Sequence, residues 1–81
     1  MKRFIVTGGY GFIGSNLIKL LLKKKFRVLN IDKLSYSAQK YNLRDIKSKN
    51  YLFKKVDINN KKEILKILKR YKPHGIFNLA A

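Results

Sequence analysis

With 81 residues, 46% of them hydrophobic and 30% charged, the chain has the balance of one small globular domain rather than of a disordered segment. Its 20 Lys and Arg against 4 Asp and Glu give a net charge of +16, which invites a polyanion. The lysines, however, fall in every segment between apolar residues, and no nucleic-acid recognition motif accompanies them, so the charge reads as a compositional bias and no specific nucleic acid is expected as partner.

The absence of cysteine removes disulfide frameworks and cysteine metal sites and suits a reducing cytoplasm. The opening MKRFIVTGG carries too short an apolar run for a signal peptide or a membrane span, so a cytoplasmic location and no membrane partner are expected. Neither histidines nor carboxylates cluster, so no metal is expected.

Arg3 to Thr7 reads as a short buried strand, because Phe4, Ile5 and Val6 form an apolar run of strand length that glycines end. The period then changes. Ile13, Leu17, Leu20 and Leu21 recur at helical spacing, with Ile18 and Leu22 widening the face, as far as Lys23 to Lys25, whose charge suits a helix C-terminus. RVLNID, Arg27 to Asp32, is a second strand. The polar stretch after it is mostly loop, with a turn of helix expected over Asn42 to Ile46.

A third strand is expected over Tyr51 to Asp57. Asn60, followed three positions later by Glu63, then marks a helix start, with Ile64, Leu65, Leu68 and Tyr71 on one face and Pro73 as the stop. GIFNLA is the fourth strand. Strands separated by crossovers of this length pair in parallel, which predicts an α/β fold: the N-terminal half of a Rossmann-type doubly wound sheet with strand order 3-2-1-4. The apolar GIFNLAA at the end is expected to be a break within a dinucleotide-binding domain, so that residues 1–81 form its partial N-terminal piece.

Four of the chain's five glycines, Gly8, Gly9, Gly11 and Gly14, stand between the first strand and the first helix. Gly9, Gly11 and Gly14 form G-x-G-x-x-G, and Asp32 follows 18 residues after Gly14 at the end of the second strand, close to the spacing of a dinucleotide fingerprint. The early glycines permit a tight turn and let a pyrophosphate reach the backbone, and Gly14 lets the helix pack closely on the sheet. The amides of Phe12 and Ile13, at a helix N-terminus, are expected to face the phosphates.

A carboxylate at Asp32 accepts hydrogen bonds from ribose hydroxyls and repels a 2′-phosphate, which favours NAD over NADP. Asp57 ends the third strand in the same way and lies with Ile58 near the adenine side of the crevice, although it also suits the start of the next helix. His74 falls on the side of the sheet away from the strands' carboxyl ends and is not expected to be catalytic. Tyr36, Tyr41 and Tyr51 read as packing or loop aromatics.

TGGYGFIGSNL, IDKLSY, VDI and FNLAA, in this order and spacing, resemble the N-terminal part of the extended short-chain dehydrogenase/reductase family of nucleotide-sugar enzymes. DKLSY together with KPHGIFNLAA is most similar to its nucleotide-sugar 4,6-dehydratase branch. The resemblance implies a tightly held NAD and a nucleotide sugar, dTDP-glucose, as substrate, with a UDP-sugar 4-epimerase or another nucleotide-sugar dehydratase as the alternative. It also implies a homodimer for the whole protein. Phe12 and Ile13 would contact the pyrophosphate, Asp32, Lys33, Leu34 and Ser35 the adenosine ribose, Asp57 and Ile58 the adenine, and Leu79, Ala80 and Ala81 the nicotinamide half. The family's Tyr-x-x-x-Lys pair lies beyond Ala81, so the resemblance places no catalytic residue within the 81. One departure stands after Tyr36, where Ser37 and Ala38 replace the family's usual Ala and Gly.

Overall fold

The computed structural model describes residues 1–9, 11–33, 43 and 46–79. Four strands, β1 (Arg3–Thr7), β2 (Arg27–Asp32), β3 (Tyr51–Lys55) and β4 (Gly75–Asn78), alternate with two helices, α1 (Phe12–Lys23) and α2 (Lys61–Tyr71). All pairings are parallel, and the sheet order is β3-β2-β1-β4, as the element order predicts. β1 and β2 are in register from Arg3 opposite Arg27 to Thr7 opposite Ile31, and their limits are those expected from the sequence.

Alternation along the strands divides the core into two layers. Val6 and Val28 pack with Ile18 and Leu21 of α1 and with Leu43 on one face. Ile5, Leu29 and Ile31 pack with Ile67 of α2 on the other. The two inner strands are therefore apolar on both sides, which is why FIV and VLNI read as continuous runs rather than alternating ones.

Most of each face expected from the apolar spacing packs on the sheet, Leu17, Ile18, Leu21 and Leu22 of α1 and Ile64, Leu68 and Tyr71 of α2, while Ile13, Leu20 and Leu65 are exposed. In α1 the buried residues are Gly14, Ser15, Ile18 and Leu21, while Ile13 is 71% and Leu20 49% exposed. The small pair Gly14-Ser15 meets the strand-to-helix loop, and that close approach sets the helix rotation. In α2 Ile67 is buried with Ile64, Leu68 and Tyr71 against it, whereas Leu65 is exposed. α2 does begin at Asn60, whose Oδ1 accepts the Glu63 N–H at 3.2 Å.

β3 and β4 end sooner than expected, at Lys55 and Asn78. β3 stops because Asp57 enters a turn: its carboxylate accepts the Asn59 N–H at 2.9 Å and its carbonyl the Asn60 N–H at 2.9 Å. The helical turn expected over Asn42 to Ile46 falls largely outside the described residues. Within them, Ile46 N–H bonds the Leu43 carbonyl at 3.2 Å.

Two non-glycine residues take left-handed backbone angles, each closing a helix. Lys25 (φ 69°) follows α1, where Lys25 N–H bonds the Leu22 carbonyl and Phe26 N–H the Leu21 carbonyl, a Schellman ending. Lys72 (φ 51°) caps α2.

Candidate dinucleotide-binding site

The ladder runs past the ends of the strands. Gly8 N–H bonds the Ile31 carbonyl at 2.9 Å, Val56 N–H the Asp32 carbonyl at 3.2 Å, and Leu79 N–H the Thr7 carbonyl at 3.1 Å. These bonds bring Gly8, Asp32 and Leu79 to one rim, above the carboxyl ends of adjoining strands. β1 stands there between β2 on one side and β4 on the other, the point where doubly wound sheets bind ligands.

Each glycine of the loop has its own reason. Gly8 turns the chain at φ 73°, in the region side chains rarely adopt. A Cβ on Gly9 would strike the Asn30 Oδ1 and approach Ile18 Cδ1 to 2.5 Å, and one on Gly14 would strike the Gly8 carbonyl oxygen and lie 2.9 Å from Gly9 Cα. These positions are closed by the protein itself. Among the described residues, a Cβ on Gly11 would meet only the Gly8 carbonyl oxygen, at an ordinary 3.4 Å, so their packing does not require glycine there.

Gly11 is the N-cap of α1, and the first helical bond runs from Ser15 N–H to the Gly11 carbonyl at 2.9 Å. The N–H groups of Phe12, Ile13 and Gly14 precede that bond. No side chain caps the helix, and its first turn holds no acidic residue. The partial positive charge of the helix end is therefore left for an anion, which backbone N–H groups rather than a lysine would hold. The Phe12 side chain is 79% exposed, so both residues at the helix start offer their backbone and leave their side chains in solvent.

Asp32 is half-buried at the end of β2, and Lys33 beside it is exposed. Leu79 N–H is held by both the carbonyl and the Oγ1 of Thr7, each at 3.1 Å. Asp57 sits at the turn into α2, and the Ile58 side chain lines a groove of about 260 Å³ on the α2 face together with Ile5, Thr7, Ile31 and Asn78. Leu34, Ser35, Ala80 and Ala81 lie outside the described residues. His74 stands at the opposite, amino end of the sheet, where its Nδ1 accepts the Arg3 N–H at 3.0 Å.

Two polar groups at the rim escape a reading by motif. Thr7 Oγ1 donates to Asn78 Oδ1 at 2.5 Å, tying β1 to β4 where they meet the loop. Asn30, 0% exposed, accepts the Gly9 N–H at 3.0 Å and donates to the Tyr51 hydroxyl at 3.2 Å. The available signal is one amide inside the apolar run VLNI, since a polar side chain buried in a strand must be bonded to something specific.

The family model for GDP-mannose 4,6 dehydratase matches residues 5–81. The chain belongs to this family. Across its length it is 42% identical to the dTDP-glucose 4,6-dehydratase of Haemophilus influenzae and, over 98% of its length, 40% identical to that of Salmonella typhimurium. It covers 25% and 22% of those proteins, so it spans about a quarter of the length of the relatives it matches.

Among solved structures, the family fold is shared with dTDP-glucose 4,6-dehydratase from Bacillus anthracis in complex with NAD, at a TM-score of 0.91 and 34% identity, covering all of this chain and 27% of that one. UDP-glucose 4-epimerase from Thermotoga maritima, with UDP-glucose, follows at a TM-score of 0.80 and 30% identity over 98% of this chain and 24% of that one. Among the described residues no group of three or more potential ligands could hold a metal, and no helix is long and apolar enough to cross a membrane.

Proposed function

We propose that the chain is the cofactor-binding N-terminal part of an NAD-dependent nucleotide-sugar 4,6-dehydratase, a lyase of deoxysugar and cell-surface polysaccharide biosynthesis, whose substrate is dTDP-glucose. The observation that carries the reading is the Gly11 opening at the start of α1: a helix end without a side-chain cap, a glycine that the packing of the described residues does not demand, and Asp32 across the same rim. The likeness to dTDP-glucose 4,6-dehydratases over the whole chain supports the substrate.

In this reading the backbone amides of Phe12 and Ile13 bind the pyrophosphate, and Gly8, Gly11 and Gly14 shape its cradle. Asp32, Lys33, Leu34 and Ser35 line the adenosine ribose, Asp57 and Ile58 the adenine, and Leu79, Ala80 and Ala81 the nicotinamide side. For Ile58 the contact falls to the backbone, because its side chain turns into the α2-side groove. When bound, NAD supplies the hydride chemistry, and the protein supplies position. The Asp32 carboxylate selects against the 2′-phosphate of NADP. Residues 1–81 act as one partial domain, cytoplasmic, within a homodimer of the whole protein.

Calorimetric titration of the chain with NAD and NADP tests the cofactor: binding of NAD, lost in Gly11→Val and Asp32→Ala, is expected. Binding of polyanions alone, surviving both substitutions and falling steeply with salt, would mark a basic nucleic-acid module instead. Turnover assays on the complete reading frame decide the substrate. Water loss from dTDP-glucose is the expected result, and inversion of UDP-glucose without dehydration would give the epimerase reading, which the Thermotoga maritima likeness favours. The 81 residues alone are expected to turn over neither sugar.

A further inference from the structure

We propose that Asn30 is the positioning residue that presets the glycine loop for the cofactor's pyrophosphate, and that Tyr51 holds the far end of its amide in place; this rests on the dinucleotide reading above. Asn30 occupies the middle of β2, opposite Val6 of β1 and Phe53 of β3, and is 0% exposed. Its environment is the apolar layer beneath α1, where an amide is costly unless both of its ends are bonded. Both ends are bonded, and the bonds reach two different elements. Oδ1 accepts the N–H of Gly9, 3.0 Å away, and Nδ2 donates to the Tyr51 hydroxyl, 3.2 Å away on β3.

The Gly9 amide is a donor only, so Oδ1 must face the loop and Nδ2 must face Tyr51. The hydroxyl of Tyr51 accepts that Nδ2 proton, so the end of the amide away from Gly9 is also bonded and the side chain is held between two elements. A glycine is required at position 9 because this side chain occupies the space of its Cβ. The requirement and the bond are thus two sides of one contact.

The loop is pinned in three successive places. Gly8 N–H is tied to the Ile31 carbonyl, Gly9 N–H to Asn30, and Gly11 N–H to the Gly8 carbonyl at 3.1 Å. The first and third are backbone bonds that most substitutions leave in place. The middle one depends on a single side chain. Gly9 is buried, so its amide, deprived of Asn30, must move to find water, and the loop between Gly8 and Gly11 moves with it. The amides of Phe12 and Ile13 would then have to be ordered by the ligand rather than before it arrives, and that ordering is taken from binding.

The prediction is selective. Adenosine lacks the pyrophosphate and touches only the rim near Asp32, so loosening the loop should weaken NAD and spare adenosine. NMR titrations of the full chain with NAD and with adenosine, combined with hydrogen exchange of the Gly9 amide, read this directly. For Asn30→Ala the expectation is about a tenfold weaker NAD affinity, adenosine affinity within about twofold, and about tenfold faster Gly9 exchange. Tyr51→Phe, at the sheet's edge, should show the same pattern at about threefold.

Equal losses for NAD and adenosine with unchanged Gly9 exchange would mark a purely structural residue and overturn the proposal, as would unchanged NAD affinity. If Asn30→Ala does not fold, Tyr51→Phe decides, and an NAD affinity equal to that of the parent rejects the positioning role. Failure of the parent chain to bind NAD would remove the cofactor reading instead, and Gly9 exchange in Tyr51→Phe would still decide whether Asn30 holds the loop.

Discussion

The two ends of the parallel sheet are built on opposite plans. At the amino end the chain's own side chains satisfy the backbone. The Arg3 guanidinium donates to the Tyr71 carbonyl at 2.9 Å and through two nitrogens to the Lys72 carbonyl at 2.9 and 3.2 Å, closing the C-terminus of α2. His74 and Arg3 exchange bonds, and the Tyr71 hydroxyl donates to the Phe4 carbonyl at 3.3 Å. At the carboxyl end, the helix N-terminus is left without a cap or an acid. Among the described residues, one end is closed by side chains of the protein and the other leaves a helix N-terminus open, the place where the proposed function puts the cofactor's pyrophosphate. Substitutions at the first should change stability alone, and substitutions at the second should separate stability from binding.

The sharpest break comes within the glycine loop. Gly14→Val places atoms against the Gly8 and Gly9 backbone, and is expected to cost about 3 kcal/mol of stability by chemical denaturation and to abolish NAD binding. Gly11→Ala fits the loop's own packing, so stability should stay within about 1 kcal/mol while NAD affinity falls at least about tenfold. Parallel effects on both properties in both variants would erase the distinction between the glycines. At the amino end, Arg3→Ala should cost about 1–2 kcal/mol in the same denaturation experiment and leave NAD affinity within error. A change in affinity would show that the two ends are coupled.

Tyr71 offers a pH readout of the closed end. Burial pushes its phenol above the ordinary value, and the charges of Arg27 and Arg3 pull the other way. A raised pKa means that the folded protein holds the proton more tightly than the unfolded chain. The contribution is complete below about pH 10 and is lost as pH rises through the folded value. The stability difference between the parent and Tyr71→Phe should accordingly hold below about pH 10 and shrink as pH rises above it; a constant difference would refute the assignment. The smallest effect belongs to neither end: Lys25→Gly relieves the left-handed residue after α1 and should add about 0.5–1 kcal/mol without touching affinity.

What the sequence makes legible follows from what each signal measures. Uninterrupted apolar runs gave the limits of β1 and β2, because strands flanked by sheet on both edges and helices on both faces must be apolar throughout. The helix faces were legible in most of their residues, Leu17, Ile18, Leu21, Ile64, Leu68 and Tyr71 among them, and missed at Ile13, Leu20 and Leu65. Apolar spacing counts large residues, so it passed over Gly14 and Ser15, which are buried at the start of α1 where Gly14 approaches the Gly8–Gly9 backbone. In α2 it took Leu65 and passed over Ile67, which is buried.

Within the candidate site, the glycine cluster was legible because the positive φ at Gly8 and the close approaches at Gly9 and Gly14 admit no side chain, and the place of Asp32 because the end of β2 was. Asn30 was not, since no motif spacing marks it and only its two bonds reveal its use. Asp57 shows the reverse: its position at a strand end suggests a ligand, while its carboxylate in this structure holds the turn into α2.

The exposure of Phe12 and Ile13 bears on how such a site ages under mutation. In the proposed function the groups offered to the phosphates are main-chain N–H groups, which nearly every codon at these positions supplies, so drift in side-chain identity there would leave that binding chemistry intact. Fragility is concentrated in the neighbouring glycines, where almost any change adds bulk. A lineage could rewrite the outer surface of this helix end extensively and still keep its cofactor, provided that a few positions continue to have no side chain at all.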